Sequence, residues 1–144
     1  MRRCRVNRQL DEGARRQLDI VVVGPCAAGK TTLVKGLIAR GYAGARLVAQ
    51  EHSGVRNLWA RRGRPNVLIY LDVEVATMNR RQGRTDWTDE ARAEQLLRLA
   101  SARRECDLYL PTDDLTIPQV LEAAVQFLQE HFMQGAVFPL PDIV

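Results

Sequence analysis

A glycine-rich segment, VVVGPCAAGKTT at positions 21–32, places a lysine and two threonines directly after a run of small residues. The glycines Gly24 and Gly29 allow a tight turn in which main-chain N–H groups point inward and form a concave anion site. Lys30 adds one positive charge, and the helix predicted to begin there adds the positive end of its dipole. These residue types in this order predict that the segment binds phosphate.

The same residues fit G-x-x-x-x-G-K-[ST], the P-loop or Walker A pattern of nucleoside triphosphate sites, and they lie between a predicted buried strand and a predicted helix, as that motif requires. Lys30 is expected to reach the β- and γ-phosphates, and the Thr31 hydroxyl is expected to ligate Mg²⁺. We therefore expect ATP and Mg²⁺ as ligands. Eight residues are predicted to bind the nucleotide: Gly24, Cys26, Ala27, Ala28, Gly29, Lys30, Thr31 and Thr32.

Two carboxylates follow predicted strands, Glu51 after residues 45–50 and Asp72 at the end of residues 66–72. A carboxylate at such a position can hold Mg²⁺ through water or orient a nucleophile. If the strand at 45–50 lies beside the strand before the glycines, Glu51 faces the terminal phosphate, so Glu51 is predicted to be metal-linked or a general base. Asp72 is a second candidate metal residue, with capping of the next helix as the alternative. His52 is either an acid–base helper or an ordinary loop histidine.

Arginines form the third candidate group, because a guanidinium fork stabilises the charge on a transferring phosphoryl group. Four of them lie on or near the helices that follow Asp72: Arg80, Arg81, Arg84 and Arg98. Arg80 and Arg84 are the preferred catalytic candidates, and solvation of the surface is the alternative role for each. The polar segment RQGRTDWT at 81–88 is then a short mobile lid.

Short β-rich runs alternate with longer helical patterns along the chain, which predicts parallel βαβ units. Strands are predicted at 19–24, 45–50, 66–72 and 107–110. Helices are predicted at 30–40, 73–81, 88–105 and 116–132, with a short helix or turn at 53–62. Gly41 is a plausible end of the first helix, and Thr88 and Thr116 are predicted N-caps. The expected fold class is α/β, a three-layer αβα P-loop fold with a mostly parallel sheet of about four or five strands.

Composition favours one globular domain of 144 residues with 46% apolar and 26% charged residues. The expected organisation is a basic N-terminal leader at 1–18, a nucleotide-binding domain at 19–134 and a C-terminal tail at 135–144. Six of the 21 basic and two of the 17 acidic residues lie in the leader, so the net charge of +4 belongs to the leader. The apolar runs are too short for a membrane helix, and no secretory signal is apparent, so we expect a cytoplasmic protein.

Three cysteines without metal spacing argue against a disulfide framework. Cys26 is interpreted as a small loop residue, and redox sensing is its alternative role. The basic strip RNLWARRGR at 56–64 could bind nucleic acid with Trp59 stacking on a base, or it could be a half-buried helix with solvated arginines. The second interpretation is favoured, so a nucleic-acid partner is not expected.

Several segments together resemble the small P-loop phosphotransferases of the adenylate kinase and shikimate kinase group. VVVGPCAAGKTTLVKGLIARG is similar to their first strand, loop and helix, VLIYLD to their fourth strand, and ARRECDLYLPTDDLTIPQVLEAAVQFL to their C-terminal end. The resemblance implies ATP-dependent phosphoryl transfer, with adenine packed near residues 111–114. Residues 42–65 leave room for only one strand and one short helix, so the acceptor-binding residues of that group have no counterparts here.

The expected function is therefore that of a Mg²⁺-dependent small-molecule kinase whose acceptor the sequence does not identify. A nucleotide-dependent switch or slow NTPase is the alternative, and a nucleic-acid-end kinase is less favoured. A GTPase is excluded because the only lysines, Lys30 and Lys35, leave no N/T-K-x-D stretch to read guanine. Protein kinases are excluded because G-x-G-x-x-G and H-R-D are absent. The sequence does not determine the oligomeric state.

Overall fold

Four parallel strands form the centre of the computed structural model, which describes residues 12–137, without the side chains of 14 and 133–137. The strands are β1 (Ile20–Val23), β2 (Ala45–Leu47), β3 (Val67–Asp72) and β4 (Leu108–Pro111). Their order across the sheet is β2-β1-β3-β4, and every pair is parallel. This arrangement confirms the predicted α/β class and the mostly parallel sheet of about four or five strands, with four strands observed.

Helices cover both faces of the sheet, as the predicted three-layer arrangement requires. The helices are α1 (Glu12–Gln17), α2 (Lys30–Ala39), α3 (Val75–Gln82), α4 (Asp89–Arg98), α5 (Ala100–Glu105) and α6 (Ile117–Val137). On one face Ile20 and Val22 pack with Leu37 of α2 and Leu128 of α6. On the other face Val21 and Val23 pack with Leu99, Ala102 and Trp59. The valines of β1 are fully buried on both faces, because the strand is central and parallel.

The carboxyl ends of β1, β2 and β3 meet at one edge of the sheet. Ile20 is in register with both Ala45 and Val67, so neighbouring strands end at similar heights. The chain leaves β1 toward β2 on one side and later returns to β3 on the other side. The neighbouring strands β1 and β3 therefore define the topological switch point, and ligands of open α/β sheets usually bind at the carboxyl ends of such strands. The residues after Val23 begin at this point.

Three predicted helix boundaries are confirmed. Thr88 Oγ1 accepts the Ala91 N–H at 3.1 Å at the start of α4. Thr116 and Gln119 form a reciprocal capping box at the start of α6, at 2.9 and 3.2 Å. Gly41 follows α2 with a φ of 97°, a left-handed conformation that ends helices and favours glycine.

Several predicted elements differ from those observed. β2 ends at Leu47, and Glu51 lies in a 3₁₀ turn, Gln50–His52, rather than at the end of a strand. The buried Gln50 amide holds this turn in place, because it donates to Val55 O at 2.7 Å and accepts the Trp59 N–H at 3.0 Å.

The element boundaries also differ elsewhere. The helix predicted at 88–105 is interrupted at Leu99. A second 3₁₀ turn, Leu58–Ala60, lies within residues 53–62, where a short helix or turn was predicted. The predicted leader contains α1, while residues 1–11 and 138–144 lie outside the described part. None of the helices in that part is both long enough and apolar enough to span a bilayer.

Candidate functional site

The glycine-rich loop (residues 24–29) passes very close to the end of β3. A Cβ added at Gly24 would lie 2.0 Å from Leu71 O, so no side chain fits at this position. Ala27 has a φ of 66° and Gly29 a φ of 101°, and these left-handed residues curl the chain between the strand and α2. The sequence pattern thus corresponds to a sharply curved loop at the switch point of the sheet.

The start of α2 carries amide groups without acceptors. The first helical hydrogen bond runs from the Leu33 N–H to Gly29 O at 3.0 Å. Gly29 is the N-cap and has no side chain that could accept from the helix, so the N–H groups of Lys30, Thr31 and Thr32 are unsatisfied by the helix. Thr31 and Thr32 are exposed at this end. The arrangement provides hydrogen-bond donors and the positive end of a helix dipole to an anion.

Side chains hold the carbonyl groups of the glycine-rich loop. Arg81 Nη1 donates to Ala27 O at 2.9 Å and to Thr112 Oγ1 at 3.0 Å, and Arg81 Nη2 donates to Thr112 O. Thr112, which is buried, donates through Oγ1 to Ala28 O at 2.9 Å. Two consecutive loop carbonyls are thereby fixed to the residues that follow β3 and β4. These side chains add to the loop's own backbone hydrogen bond, from the Ala28 N–H to Pro25 O at 3.3 Å.

Lys30 is buried and turned back into the loop. Its ammonium donates to Gly24 O at 2.8 Å and to Pro25 O at 2.9 Å. The same Nζ lies 3.0 Å from Glu51 Oε2, and the two side chains are only 9% and 5% exposed. Lys30 therefore carries a charge that is paired and hydrogen-bonded at the loop.

Glu51 lies beside the loop because β2 pairs with β1, as the prediction for Glu51 assumed. Arg98 Nη1 donates to Glu51 O at 3.1 Å and so ties this turn to α4. Glu51 Oε1 is buried and has no hydrogen-bond partner among the described residues. A buried carboxylate with one unused oxygen is a group that can accept a proton or bind a cation.

Cys26 and His52 lie next to Glu51. The Cys26 Sγ is 3.4 Å from His52 Nε2, and His52 Nε2 is 3.6 Å from Glu51 Oε2. The buried Gln95 contacts Cys26 twice, since its Oε1 accepts the Cys26 N–H at 3.0 Å and its Nε2 donates to Sγ at 3.1 Å. Cys26 is thus more than a space-filling loop residue, because its backbone and its sulfur are both held in place.

Asp72 is engaged by protein donors on both oxygens. Oδ1 accepts from the Val73 N–H at 2.8 Å and from Arg92 Nη2 at 3.0 Å, and Oδ2 accepts from the Tyr109 hydroxyl. Burial, followed by the hydrogen bond and the negative charge of Asp72, raises the pKa of Tyr109, so this phenol stays a neutral donor. The prediction that Asp72 caps α3 is wrong, because Glu74 is the N-cap. As a candidate metal residue Asp72 lacks the unused oxygen that Glu51 has.

The preferred arginines do not contact the loop. Arg80 is exposed, and its side chain makes no hydrogen bond or ion pair within the described part of the chain. Arg84 forms a two-pronged pair with Asp86 at 2.7 and 2.9 Å, and its guanidinium lies 4.8 Å from the Trp87 ring centre. The arginine that reaches the loop is Arg81.

Sequence reasoning missed Arg92 and Gln95, both on α4. The two residues share a helix face with the buried Leu99, at spacings of three and four residues. Polar residues on the buried face of a helix were the available signal. They were not recognised because only the structure identifies Asp72 and Cys26 as their partners.

A cavity of about 540 Å³ opens beside the start of α2. It lies between α2 and the segment that joins β4 to α6, and Thr112, Leu115 and Thr116 of that segment form one wall of it. Apolar side chains of α2 and α6 line its inner part, and Arg81 and Thr112 lie at the loop end. The residues nearest the loop are Ala28, Gly29, Thr32, Arg81, Thr112 and Thr116.

The basic strip at 56–64 does not expose its tryptophan. Trp59 is buried, and its Nε1 donates to Ser101 Oγ at 3.0 Å. The ring is therefore part of the core and is not exposed for stacking on a base. A second cavity of about 350 Å³ lies near this segment and contains three arginines: Arg56, Arg98 and Arg104.

The sequence has no match among known families: no protein-family model and no curated protein sequence matches this chain.

Proposed function

We propose that this protein binds a nucleoside triphosphate with Mg²⁺ at the glycine-rich loop and transfers the terminal phosphoryl group to a small acceptor. One observation carries the proposal. The start of α2 offers unsatisfied amides, and the Lys30 ammonium lies in the same loop beside the unused oxygen of Glu51. This combination suits a highly charged polyphosphate, because amides, dipole and ammonium all favour negative charge.

The residues present fit Mg²⁺ as well as phosphate. The Thr31 hydroxyl is exposed beside the free amides, and Glu51 Oε1 has no protein partner. Oxygen ligands of this kind suit Mg²⁺, which when bound would neutralise charge on the phosphates. Lys30 would move from its two loop carbonyls to the phosphates. Glu51 would then bind the ion through water or accept the proton of the acceptor hydroxyl.

The larger cavity suits the nucleoside. Its inner wall is apolar, its loop end carries Arg81, and it is continuous with Gly29 and Thr32 at the start of α2. A base needs an apolar or planar surface with a few polar groups at its edges, and ligand cavities of 300 to 1,000 Å³ are typical. Of residues 111–114, to which the family resemblance assigns the base, Thr112 lines this cavity. ATP is the expected nucleotide.

The smaller cavity suits an acceptor. Its lining includes Ser53, two positions after Glu51 in the sequence, and Arg98, which donates to the Glu51 main-chain oxygen. Two further arginines also line it. Guanidinium groups bind carboxylates and phosphates in a two-pronged geometry. We therefore expect a small anionic acceptor. The short segment between α2 and β3 still favours the alternative of a slow NTPase or switch.

Nucleotide binding is tested first with fluorescent ATP and GTP analogues in the presence of Mg²⁺. Lys30→Ala is expected to weaken binding at least about tenfold, because a charge-assisted hydrogen bond contributes about 1.5–3 kcal/mol. Lys35→Ala is the matched control, because Lys35 is exposed on the same helix and its substitution by alanine also removes one positive charge. Equal affinities of the two variants, or no binding by the unmodified protein, would refute the proposal.

Transfer is separated from hydrolysis by incubating the protein with γ-labelled ATP, Mg²⁺ and a panel of acceptors. The panel contains small carboxylates, sugar phosphates, nucleosides and RNA ends. Label on an acceptor supports the kinase, whereas slow release of inorganic phosphate alone supports the NTPase. Glu51→Gln should lower turnover while ATP binding persists, and Glu94→Gln on the exposed side of α4 is the control. Normal turnover in Glu51→Gln would refute its assigned role.

A further inference from the structure

Three different metal-binding side chains converge behind the glycine-rich loop. Cys26, Glu51 and His52 each offer one ligand atom, and these atoms all lie within 4.8 Å of one another. Cys26 comes from the loop and the other two from the Gln50–His52 turn, so the sheet order brings them together. Thiolate, imidazole and carboxylate are the three ligand types that zinc sites use.

Two of the three separations between the ligand atoms are close to those of a tetrahedral site, and the third, between Cys26 and Glu51, is at most 4.8 Å. With Zn–S near 2.3 Å and Zn–N near 2.0 Å, tetrahedral angles place sulfur and nitrogen about 3.5 Å apart, and nitrogen and oxygen about 3.3 Å apart. The observed distances are 3.4 Å from Cys26 Sγ to His52 Nε2, and 3.6 Å from His52 Nε2 to Glu51 Oε2. A small ion could enter with little rearrangement.

The surroundings also suit a metal ion. Gln95 holds Cys26 through two hydrogen bonds, at 3.0 and 3.1 Å, and so orients the sulfur, as residues behind metal ligands commonly do. Glu51 Oε1 is buried without a hydrogen-bond partner in the described part of the chain. The His52 side chain is 59% exposed, which leaves an entry path from solvent.

We propose that Cys26, Glu51 and His52 bind a divalent transition ion of the Zn²⁺ class, with water as the fourth ligand. Sulfur and nitrogen ligands select such an ion against Mg²⁺, which prefers oxygen. Binding converts the Cys26 thiol to a thiolate, and its proton passes to solvent. The nearby Lys30 ammonium repels the ion, so the affinity is lower than that of structural zinc sites.

Occupancy has a consequence that rests on the proposed function. A transition ion bound to Glu51 withdraws negative charge from this carboxylate and occupies one of its oxygens, so Glu51 serves Mg²⁺ or a proton less well and phosphoryl transfer slows. The inhibition acts on turnover more than on nucleotide binding, because the free amides of α2 are not part of the metal cluster. The site would thereby make the activity sensitive to Zn²⁺.

The test is a titration of the full chain with Co²⁺ in the absence of nucleotide, followed by Zn²⁺ displacement. A thiolate-to-cobalt charge-transfer band with intense visible bands is the expected result. All proteins carry Cys4→Ser, because Cys4 lies outside the described residues and would add its own signal. Cys26→Ser should abolish the charge-transfer band, and His52→Ala should weaken binding at least about tenfold.

Cys106→Ser and His131→Ala are the controls, because they remove a thiol and an imidazole elsewhere in the protein. Both variants should bind Co²⁺ as the parent protein does. Circular dichroism verifies that each variant is folded. Absence of the band from the parent, or its persistence in folded Cys26→Ser, would overturn the site. Cobalt binding without ATP binding would support the metal site and refute the proposed function. ATP binding without cobalt binding would support nucleotide binding and refute the metal site.

Discussion

Replacing Lys30 with methionine is expected to destabilise the protein even when no nucleotide is present. The methionine side chain is only one atom shorter, but it lacks the charge that faces Glu51. Glu51 is 4% exposed, so its carboxylate would be left buried without a cation. Removing one partner of a buried ion pair typically costs about 3–5 kcal/mol of unfolding free energy. Glu51→Gln should cost less, because Lys30 retains its two carbonyl acceptors.

The coupling between the two side chains follows from their geometry. At the observed 3.0 Å, the attraction of two unit charges is about 5.5 kcal/mol for an effective dielectric constant of 20. Desolvation of both groups offsets part of this attraction. We expect a coupling free energy of about 2–4 kcal/mol between Lys30→Met and Glu51→Gln. The double variant should therefore be more stable than the sum of the single effects predicts.

Urea denaturation followed by tryptophan fluorescence measures this coupling, because Trp59 is buried in the folded state. The Arg46–Asp19 pair is the control, with a distance of 3.2 Å but side chains 29% and 39% exposed. Arg46→Met and Asp19→Asn should couple by less than about 1 kcal/mol, because solvent screens exposed pairs. Equal coupling in the two pairs, or additive effects of Lys30→Met and Glu51→Gln, would refute the reasoning.

Three further substitutions probe features of the fold. Gly24→Ala should lower the free energy of unfolding in urea by at least about 2 kcal/mol, because the new Cβ would collide with a main-chain oxygen of β3. Gly54→Ala is the control and should be nearly neutral, because a Cβ at Gly54 has open space around it. Thr116→Ala removes the α6 capping box and should cost about 1 kcal/mol in thermal unfolding; an unchanged melting temperature would contradict the cap. Tyr109→Phe leaves a buried oxygen of Asp72 without its donor and should lower the free energy of unfolding in urea by about 1–3 kcal/mol. Tyr42→Phe should leave that free energy unchanged, because the Tyr42 hydroxyl has no partner among the described residues.

Local chemistry made much of the fold predictable. The run of valines at 21–23 is typical of a strand buried on both faces, and β1 has that position. The threonines before α4 and α6 act as N-caps, because capping depends on neighbours three residues away in the chain. The parallel sheet followed from strands alternating with helices. Predictions of this kind need only short-range geometry and a hydrophobic period.

The side-chain partners of the site depended on contacts between distant segments. Arg80, Arg81 and Arg84 are chemically equivalent in the sequence, yet only Arg81 reaches the loop. The difference depends on how α3, which carries Arg80 and Arg81, packs on the sheet, and on the turn after α3, which carries Arg84. Asp72 and Glu51 both follow strands, but Arg92 and Tyr109 satisfy Asp72 while Glu51 keeps an unused oxygen.

The sequence alone determined the alternation of strands and helices, the caps and the position of the glycine-rich loop, because each depends on residues within a few positions of one another. Only the tertiary structure decided that Cys26, His52 and Gln95 meet Glu51 behind that loop. These residues come from three segments up to 69 positions apart. Their meeting depends on the strand order β2-β1-β3-β4 and on the packing of α4, which no local pattern encodes.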